Sequence, residues 1–395
     1  MTKFGTTPAV FALLVIFATY CNPSRAADKI KIGLITTLSG PEAVMGNPMR
    51  DSAELALSLL GGKIGGIPTE MVYGDDQQKP DMGRQIAERM LQKDRVDFIT
   101  GLLGSNVLLA IYHQVIRTKT FLISANAGPH QIAGEDCSPY FFALSQQSDQ
   151  SAEAMGHYMQ QLGVNDVYLM APNYNAGKDN IAGFKRFFKG NIVGEVYTAF
   201  GQLDYQAEIS RIRAAKPKAV FVFYPGGMGI QFVKQYAEAG LKDEIPLYST
   251  SSLDESNLPA VQAAGVGDYS ATYWSFTLDN PRNLEYVKLF REKYNYPPSI
   301  FGAGTFDAMF LIDSAVKAVH GDLSNKSALV AALQKAEFSS VRGEFSFNRN
   351  HFPIEDFYLF QVVNTGSGQV GLKAIRKIFT NQSDSYHDLC HMPAP

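Results

Sequence analysis

From Lys29 onward, short apolar runs alternate with stretches in which apolar residues recur at helical spacing. Lys29-Ile-Lys-Ile-Gly-Leu-Ile-Thr36 predicts a strand, followed by a loop over 37–46. In Met49–Leu60, Ala53, Leu57 and Leu60 fall at i, i+4 and i+7, one face of a helix. Pro68–Tyr73 predicts a strand, and Asp81–Gln92 a helix with Ile86 and Met90 on one face. Val96–Thr100 is short, largely apolar and stops at Gly101, the pattern of a strand buried on both faces. After the tight loop Gly101–Asn106 come a helix over Val107–Ile116 and a strand over Thr120–Ser124. Strands alternating with helices over this length imply parallel βαβ units with right-handed crossovers.

After Phe142-Ala-Leu-Ser-Gln-Gln147 the alternation begins again. Helices are expected at Ser151–Gln161, Asn180–Lys189, Gln206–Ala215 and Gly229–Ala239. Between them lie strands at Asp166–Ala171, Ile192–Thr198, Ala219–Tyr224 and Pro246–Thr250. This is a second α/β lobe of similar design. Asp268–Phe276 is a further extended run, and helices follow at Asn283–Tyr294, Ala303–His320 and Lys326–Ala336. From Phe345 the pattern becomes β-like, with Asp356–Val363 the clearest strand and a glycine-rich turn, Thr365-Gly-Ser-Gly-Gln369, before the last one.

The stretch from Val96 to Val107 is the centre of the chemistry. A strand, a glycine loop and a helix start make an anion site, because free backbone N–H groups and the positive end of the helix dipole point at the loop. Ser105 or Asn106 is the expected N-cap, a side-chain oxygen there accepting an orphan N–H. Alone, the same pattern is also that of an ordinary βα turn.

Composition narrows the function. With 46% hydrophobic and 18% charged residues the 395-residue chain is a well-buried globular protein, long enough for two domains. It carries no basic run of the kind that nucleic acid requires. Residues 1–26 are expected to be a signal peptide, cleaved after Ala26: Lys3 precedes an apolar run over Pro8–Tyr20, and Ser24-Arg25-Ala26 offers small residues to a peptidase. Cys21 raises a lipoprotein alternative, although Tyr20 is bulky where that signal wants a small residue. The mature chain then has 33 basic against 38 acidic residues, a net charge of -5. Cys137 and Cys390 remain, an even pair in an exported protein, and a disulfide between them would anchor the polar tail. His387 and His391 flank Cys390, but a polar tail is a poor place for a metal site. No G-x-S-x-G elbow, P-loop lysine or H-E-x-x-H occurs, and the Gly101 loop lacks dinucleotide-binding spacing.

Six segments in order give a resemblance: Ile32–Pro41, Phe98–Ser105, Leu122–Ala127, Tyr174, Phe221–Gly227 and Gly302–Ala308. The mature chain resembles the Leu/Ile/Val-binding type of periplasmic solute receptor, a type I binding protein serving ABC transporters. The resemblance implies an α/β fold of two Rossmann-like lobes with parallel sheets, joined by three hinge segments near 143–147, 271–276 and 345–352. The expected division is 27–145 with 275–346 for lobe 1, 146–274 with 347–380 for lobe 2, and a tail over 381–395. It also implies a monomer that binds a small carboxylate in the cleft, with no cofactor, metal or catalytic residue, and hands it to a membrane permease. On family analogy the ligand-binding residues are Ser105, Asn106, Ala125, Asn126 and Ala127 from lobe 1, with Tyr174, Tyr224 and Phe301. Ser105 and Asn126 are the expected side-chain partners of the carboxylate.

The chain departs from the family at one place. Amino-acid receptors of this type hold the ligand's ammonium with an acid just after the strand ending here at Tyr224, but this chain reads Tyr224-Pro-Gly-Gly-Met-Gly, with no acid from Lys218 to Glu238. An unpaired ammonium in a closed cleft is costly. The expectation is therefore an aromatic acid, benzoate-like or cinnamate- and hydroxycinnamate-like. An amino-acid receptor, with Asp179, Asp254 or Glu255 as the missing acid, is the alternative. An exported α/β hydrolase, built from residues distant in sequence, is the rival from another class.

Overall fold

The structure, a computed structural model, describes residues 1–3, 5, 27–366, 369–392 and 395. The expected leader, including Cys21, lies almost wholly outside them. Fourteen strands and twelve α-helices are defined among the described residues. The first sheet holds β1 (Ile30–Thr36), β2 (Lys63–Ile64), β3 (Ile67–Asp75), β4 (Phe98–Gly101), β5 (Phe121–Ser124) and β6 (Phe141–Ala143), in the order β2-β3-β1-β4-β5-β6. Its helices are α1 (Ala43–Leu59), α2 (Pro80–Arg89), α3 (Ser105–Arg117) and the short α4 (His130–Ala133). The second sheet starts with β7 (Val167–Pro172), β8 (Ile192–Thr198), β9 (Ala219–Phe223), β10 (Leu247–Thr250) and β11 (Tyr269–Thr272). Its helices are α5 (Gln150–Gln161), α6 (Asn175–Phe187), α7 (Gln206–Ala215), α8 (Gly226–Glu238) and the short α9 (Leu258–Val261).

The chain then returns. α10 (Pro281–Tyr294), α11 (Ile300–Ala318) and α12 (Lys326–Lys335) come next, and α11 packs along α1 in the first lobe. β12 (Ser346–Phe347), β13 (Pro353–Gly366) and β14 (Gln369–Gln382) complete the second sheet as an antiparallel edge, β13 pairing with β11. The sheets are thus parallel-dominated and mixed. The chain passes between them three times, after β6, after β11 and after α12. At the last pass, the turn before β13 still touches the first sheet: Ala143 N–H donates to the His351 carbonyl at 3.0 Å.

Two helices begin earlier than their apolar spacing predicts, α1 at Ala43 and α6 at Asn175. The first turn of α6, Asn175 to Lys178, is small and polar and lacks the apolar stripe that reveals a helix, whereas in α1 Gly46 and Pro48 interrupt the pattern after the apolar Val44 and Met45. In α1 the helix even runs through Pro48.

A disulfide joins Cys137 to Cys390, as the cysteine count predicts. Between β14 and that bond the tail lies across both lobes. The Tyr386 hydroxyl donates to Asp149 at 2.6 Å and accepts from Arg186 at 2.6 Å, and Ser385 donates to Glu153 at 2.7 Å. Burial pushes Asp149 up to about 6 and Glu153 up to about 7, against the pull of Arg186. Beside Tyr386, His130 of the first lobe meets Asp179 of the second at 2.7 Å, and that hydrogen bond raises the imidazole's affinity for a proton.

Candidate functional site

In both sheets the first strand has its neighbours on either side (β3 and β4 beside β1, β8 and β9 beside β7), so consecutive loops diverge at the carboxyl ends of these strands. Open α/β sheets bind ligands at that switch point. Here the two sets of loops face each other across a cavity of about 50 Å³. Glu42 and Met45 reach it from the segment after β1, Gln78 after β3, Leu103 and Ser105 after β4, and Asn126 and Ala127 after β5. The opposite wall has Tyr174, Ala176 and Asn180 after β7, Phe200 after β8, and Phe223 with Pro225 at the end of β9. Phe301, at the start of α11, closes one side.

The β4 loop is tightly determined. Gly101 has φ of 101°, and a Cβ there would lie 2.4 Å from the Ile35 carbonyl oxygen. Leu102 is also left-handed, φ 61°, held by its N–H donating to that same carbonyl at 2.7 Å. Such a backbone costs about 1–3 kcal/mol and persists only when its surroundings impose it. The helix α3 then begins at Ser105, and its N-cap is Gly104, not Ser105 or Asn106 as expected. A Cβ at 104 would lie 2.1 Å from Gln78 Oε1, so the glutamine side chain would have to move to admit one. Val107 and Leu108 donate their N–H groups to the Gly104 carbonyl at 3.1 and 3.0 Å, and with no side-chain cap the N–H groups of Ser105 and Asn106 are left for a ligand. Ser105 stands in the cavity wall at the positive end of the helix, its hydroxyl without a hydrogen bond among the described residues.

The sequence-derived residues separate into two groups. Ser105, Asn126, Ala127, Tyr174 and Phe301 all line the cavity. Asn106, Ala125 and Tyr224 do not. Asn106 turns its amide to the Gln78 carbonyl at 3.0 Å. Ala125 and Ala127 donate their N–H groups to the Gly101 and Leu102 carbonyls, at 2.8 and 2.9 Å, and so hold the β4 loop. The Asn126 amide does the same, donating to the Leu103 carbonyl at 2.6 Å. Tyr224 points into the core of the second lobe, against Tyr205 and Phe232, with its hydroxyl 3.1 Å from that of Thr198. The residue before it, Phe223, takes the place in the wall. Tyr174 and Phe223 lie nearly parallel, 6.3 Å apart at 19°, with Phe200 tilted 4.9 Å from Tyr174. The wall is thus aromatic on one side and polar at the α3 end.

No lysine, arginine or histidine is among the described residues of the wall. The three acids considered as ammonium partners are elsewhere: Asp179 pairs with His130, Asp254 accepts from Ser256 N–H at 2.8 Å, and Glu255 accepts from Phe276 N–H at 3.3 Å. Burial pushes Asp254 up to about 6 and Glu255 up to about 8. The acid that does line the cavity is Glu42, which the apolar pattern left inside a loop ahead of a helix. Its one sequence signal is its place directly after Ser39-Gly-Pro41 in the first βα loop. Burial raises the affinity of its carboxyl for a proton. Among the described residues no group of three or more histidine, cysteine or acidic side chains is placed to hold a metal. None of their helices is long and apolar enough to cross a membrane.

Comparison with known proteins adds four findings. Residues 29–368 match the family model described as periplasmic binding protein. A Leu/Ile/Val-binding protein homolog 6 of Brucella melitensis is 26% identical over 394 residues, covering 97% of this chain and 98% of that protein. A solute-binding protein of an ABC transporter from R. palustris, solved in complex with benzoate, has 30% identity and a TM-score of 0.87 over 92% of this chain and 99% of its own. A second R. palustris solute-binding protein, in complex with 4-hydroxybenzoate, has 26% identity and a TM-score of 0.84 over 91% and 99%.

Proposed function

The chain belongs to the periplasmic binding protein family, and from that premise we propose that it captures an aromatic carboxylic acid outside the cytoplasm and delivers it to an ABC permease. The observation that carries this reading is the cavity itself: a helix N-terminus and a serine hydroxyl at one end, an aromatic wall beside it, and no basic side chain. A carboxylate accepting charge-assisted hydrogen bonds from Ser105 and the first turn of α3 gains about 1.5–3 kcal/mol per bond where water is excluded. A flat ring against Tyr174 and Phe223 adds about 0.5–1.5 kcal/mol beyond its area. The benzoate and 4-hydroxybenzoate complexes of the R. palustris proteins support the same class. Ligand held by both lobes favours the closed arrangement, which is the form a permease would read. No covalent step is involved, and the exported form begins after Ala26.

An amino-acid receptor is the second reading, favoured by the Brucella relative's name and by Glu42, an acid within the cavity. A matched pair separates the two. Titrated into ligand-stripped protein, cinnamate or benzoate is expected to bind more tightly than phenylalanine. Micromolar binding of phenylalanine, leucine or valine with no response to any aromatic acid would reverse the assignment. Ester or amide turnover by the pure protein would instead favour a hydrolase.

The α3 end has its own test. Ser105→Ala is expected to weaken binding of the natural ligand by about 1–3 kcal/mol, the cost of one missing partner to a charged group, with little change in fold stability. Calorimetry that finds equal affinities would take Ser105 out of the site.

A further inference from the structure

Glu42 and its neighbours pack against two glycines of the opposite lobe. Gly226, φ 57°, and Gly227 open α8 in place of the acid that amino-acid receptors carry. An ideal Cβ on Gly226 would lie 2.7 Å from Met45 Cε and 3.6 Å from Glu42 Cα. One on Gly227 would lie 2.9 Å from Pro41 Cβ. The missing side chains are therefore the space into which the Pro41–Met45 segment of the first lobe is seated. Glu42 stands at the N-cap position of α1 but makes no side-chain cap bond, so its carboxyl is not used by the helix. It is 7% exposed, it lines the cavity, and no basic side chain among the described residues of the wall offsets it.

Among the described residues the Glu42 carboxyl is held only by its own backbone N–H, which leaves most of its accepting capacity open to a ligand that brings a hydrogen-bond donor. We propose that Glu42 is the specificity-determining residue of the cleft and accepts a hydrogen bond from a hydroxyl on the ring of the bound acid, so that hydroxylated benzoates are preferred to benzoate. The proposal rests on the aromatic-acid reading of the cavity. A hydroxyl suits the place better than an ammonium for two reasons. Burial already draws Glu42 toward its neutral form, and a hydroxyl remains a donor to it without itself being a charge that must be desolvated. The adjoining wall of Tyr174, Phe223 and Phe200 fits a flat ring, whose substituents lie in its own plane.

Calorimetry on ligand-stripped wild-type protein, Glu42→Ala and Glu42→Gln, with benzoate, 3-hydroxybenzoate, 4-hydroxybenzoate and phenylalanine, tests this. Wild type is expected to bind at least one hydroxybenzoate up to about tenfold more tightly than benzoate, as one hydrogen bond in a water-excluded cleft provides. Glu42→Ala should collapse that ratio toward one, and Glu42→Gln, which keeps the shape and a neutral acceptor, should leave an intermediate ratio and serves as the folding control. If benzoate and both hydroxybenzoates bind equally in wild type, or lose affinity equally in Glu42→Ala, the role given to Glu42 fails while the aromatic-acid reading stands. Phenylalanine binding that depends on Glu42, with no response to the aromatic acids, overturns both and makes Glu42 the ammonium partner. No response to any of the four ligands also overturns both.

Discussion

Arg342→Ala is expected to destabilise the fold by about 3–5 kcal/mol, the typical cost of stranding a buried charge by removing its partner. Arg342 lies in the last pass between the lobes, with its side chain 5% exposed. Its guanidinium meets Glu355 of β13 at 2.9 Å and Asp307 of α11 at 3.4 Å, and lies 4.5 Å over the Phe345 ring. The three residues therefore tie α11 of the first lobe to the second sheet through the connecting segment. Burial pushes Glu355 up to about 7 even with Arg342 in place, and raises Asp307 as well. Without the arginine both carboxyls would hold their protons more strongly in the folded state than in the unfolded one. The folded variant then binds more protons, so its stability recovers as pH falls, and its deficit grows as pH rises from the unfolded carboxylate range through the raised folded values, above which it is largest. Urea unfolding of wild type and Arg342→Ala at pH 5 and pH 8 measures both effects. A difference below about 1 kcal/mol at pH 8 would show that the cluster does not stabilise the hinge.

Replacing both Cys137 and Cys390 by serine is expected to cost about 2–4 kcal/mol. The bond spans 253 positions, so it constrains a long loop of the unfolded chain. Part of the loss should come from the folded side, since the bond keeps Tyr386 and Ser385 on the buried acids of α5. Equal unfolding midpoints for the oxidised wild type and the double serine variant would refute it.

The β/α alternation was legible because strands buried on both faces leave unbroken apolar runs such as Phe121–Ser124, and the helices between them keep an apolar stripe. The cavity end at Ser105 was legible because a glycine loop before a helix has few uses. The swap of Tyr224 for Phe223 was not. Every residue of β9 is buried, so no polar alternation marks which side chain faces the cleft, and a one-residue shift reverses the face. Glu42 escaped for a different reason. Its segment packs against Gly226 and Gly227, nearly two hundred positions away, and only tertiary contact brings them together. The cap of α3 was misplaced because a serine favours that position locally, while the chain enters the helix one residue earlier, with Gly104 at the cap against the side chain of Gln78, which comes from beyond β3.

The tail also sets a length. From Gln382, the end of β14, to Cys390 is a run of eight residues. At full extension such a run spans at most about 28 Å. One end belongs to the second sheet and the other is bonded to the first lobe, so the run is a leash. Its slack becomes available only as Ser385 and Tyr386 leave α5 and α6. Whatever the hinge segments permit, the two anchor points cannot part farther than the leash, and the cleft has a widest gape fixed by a count of residues.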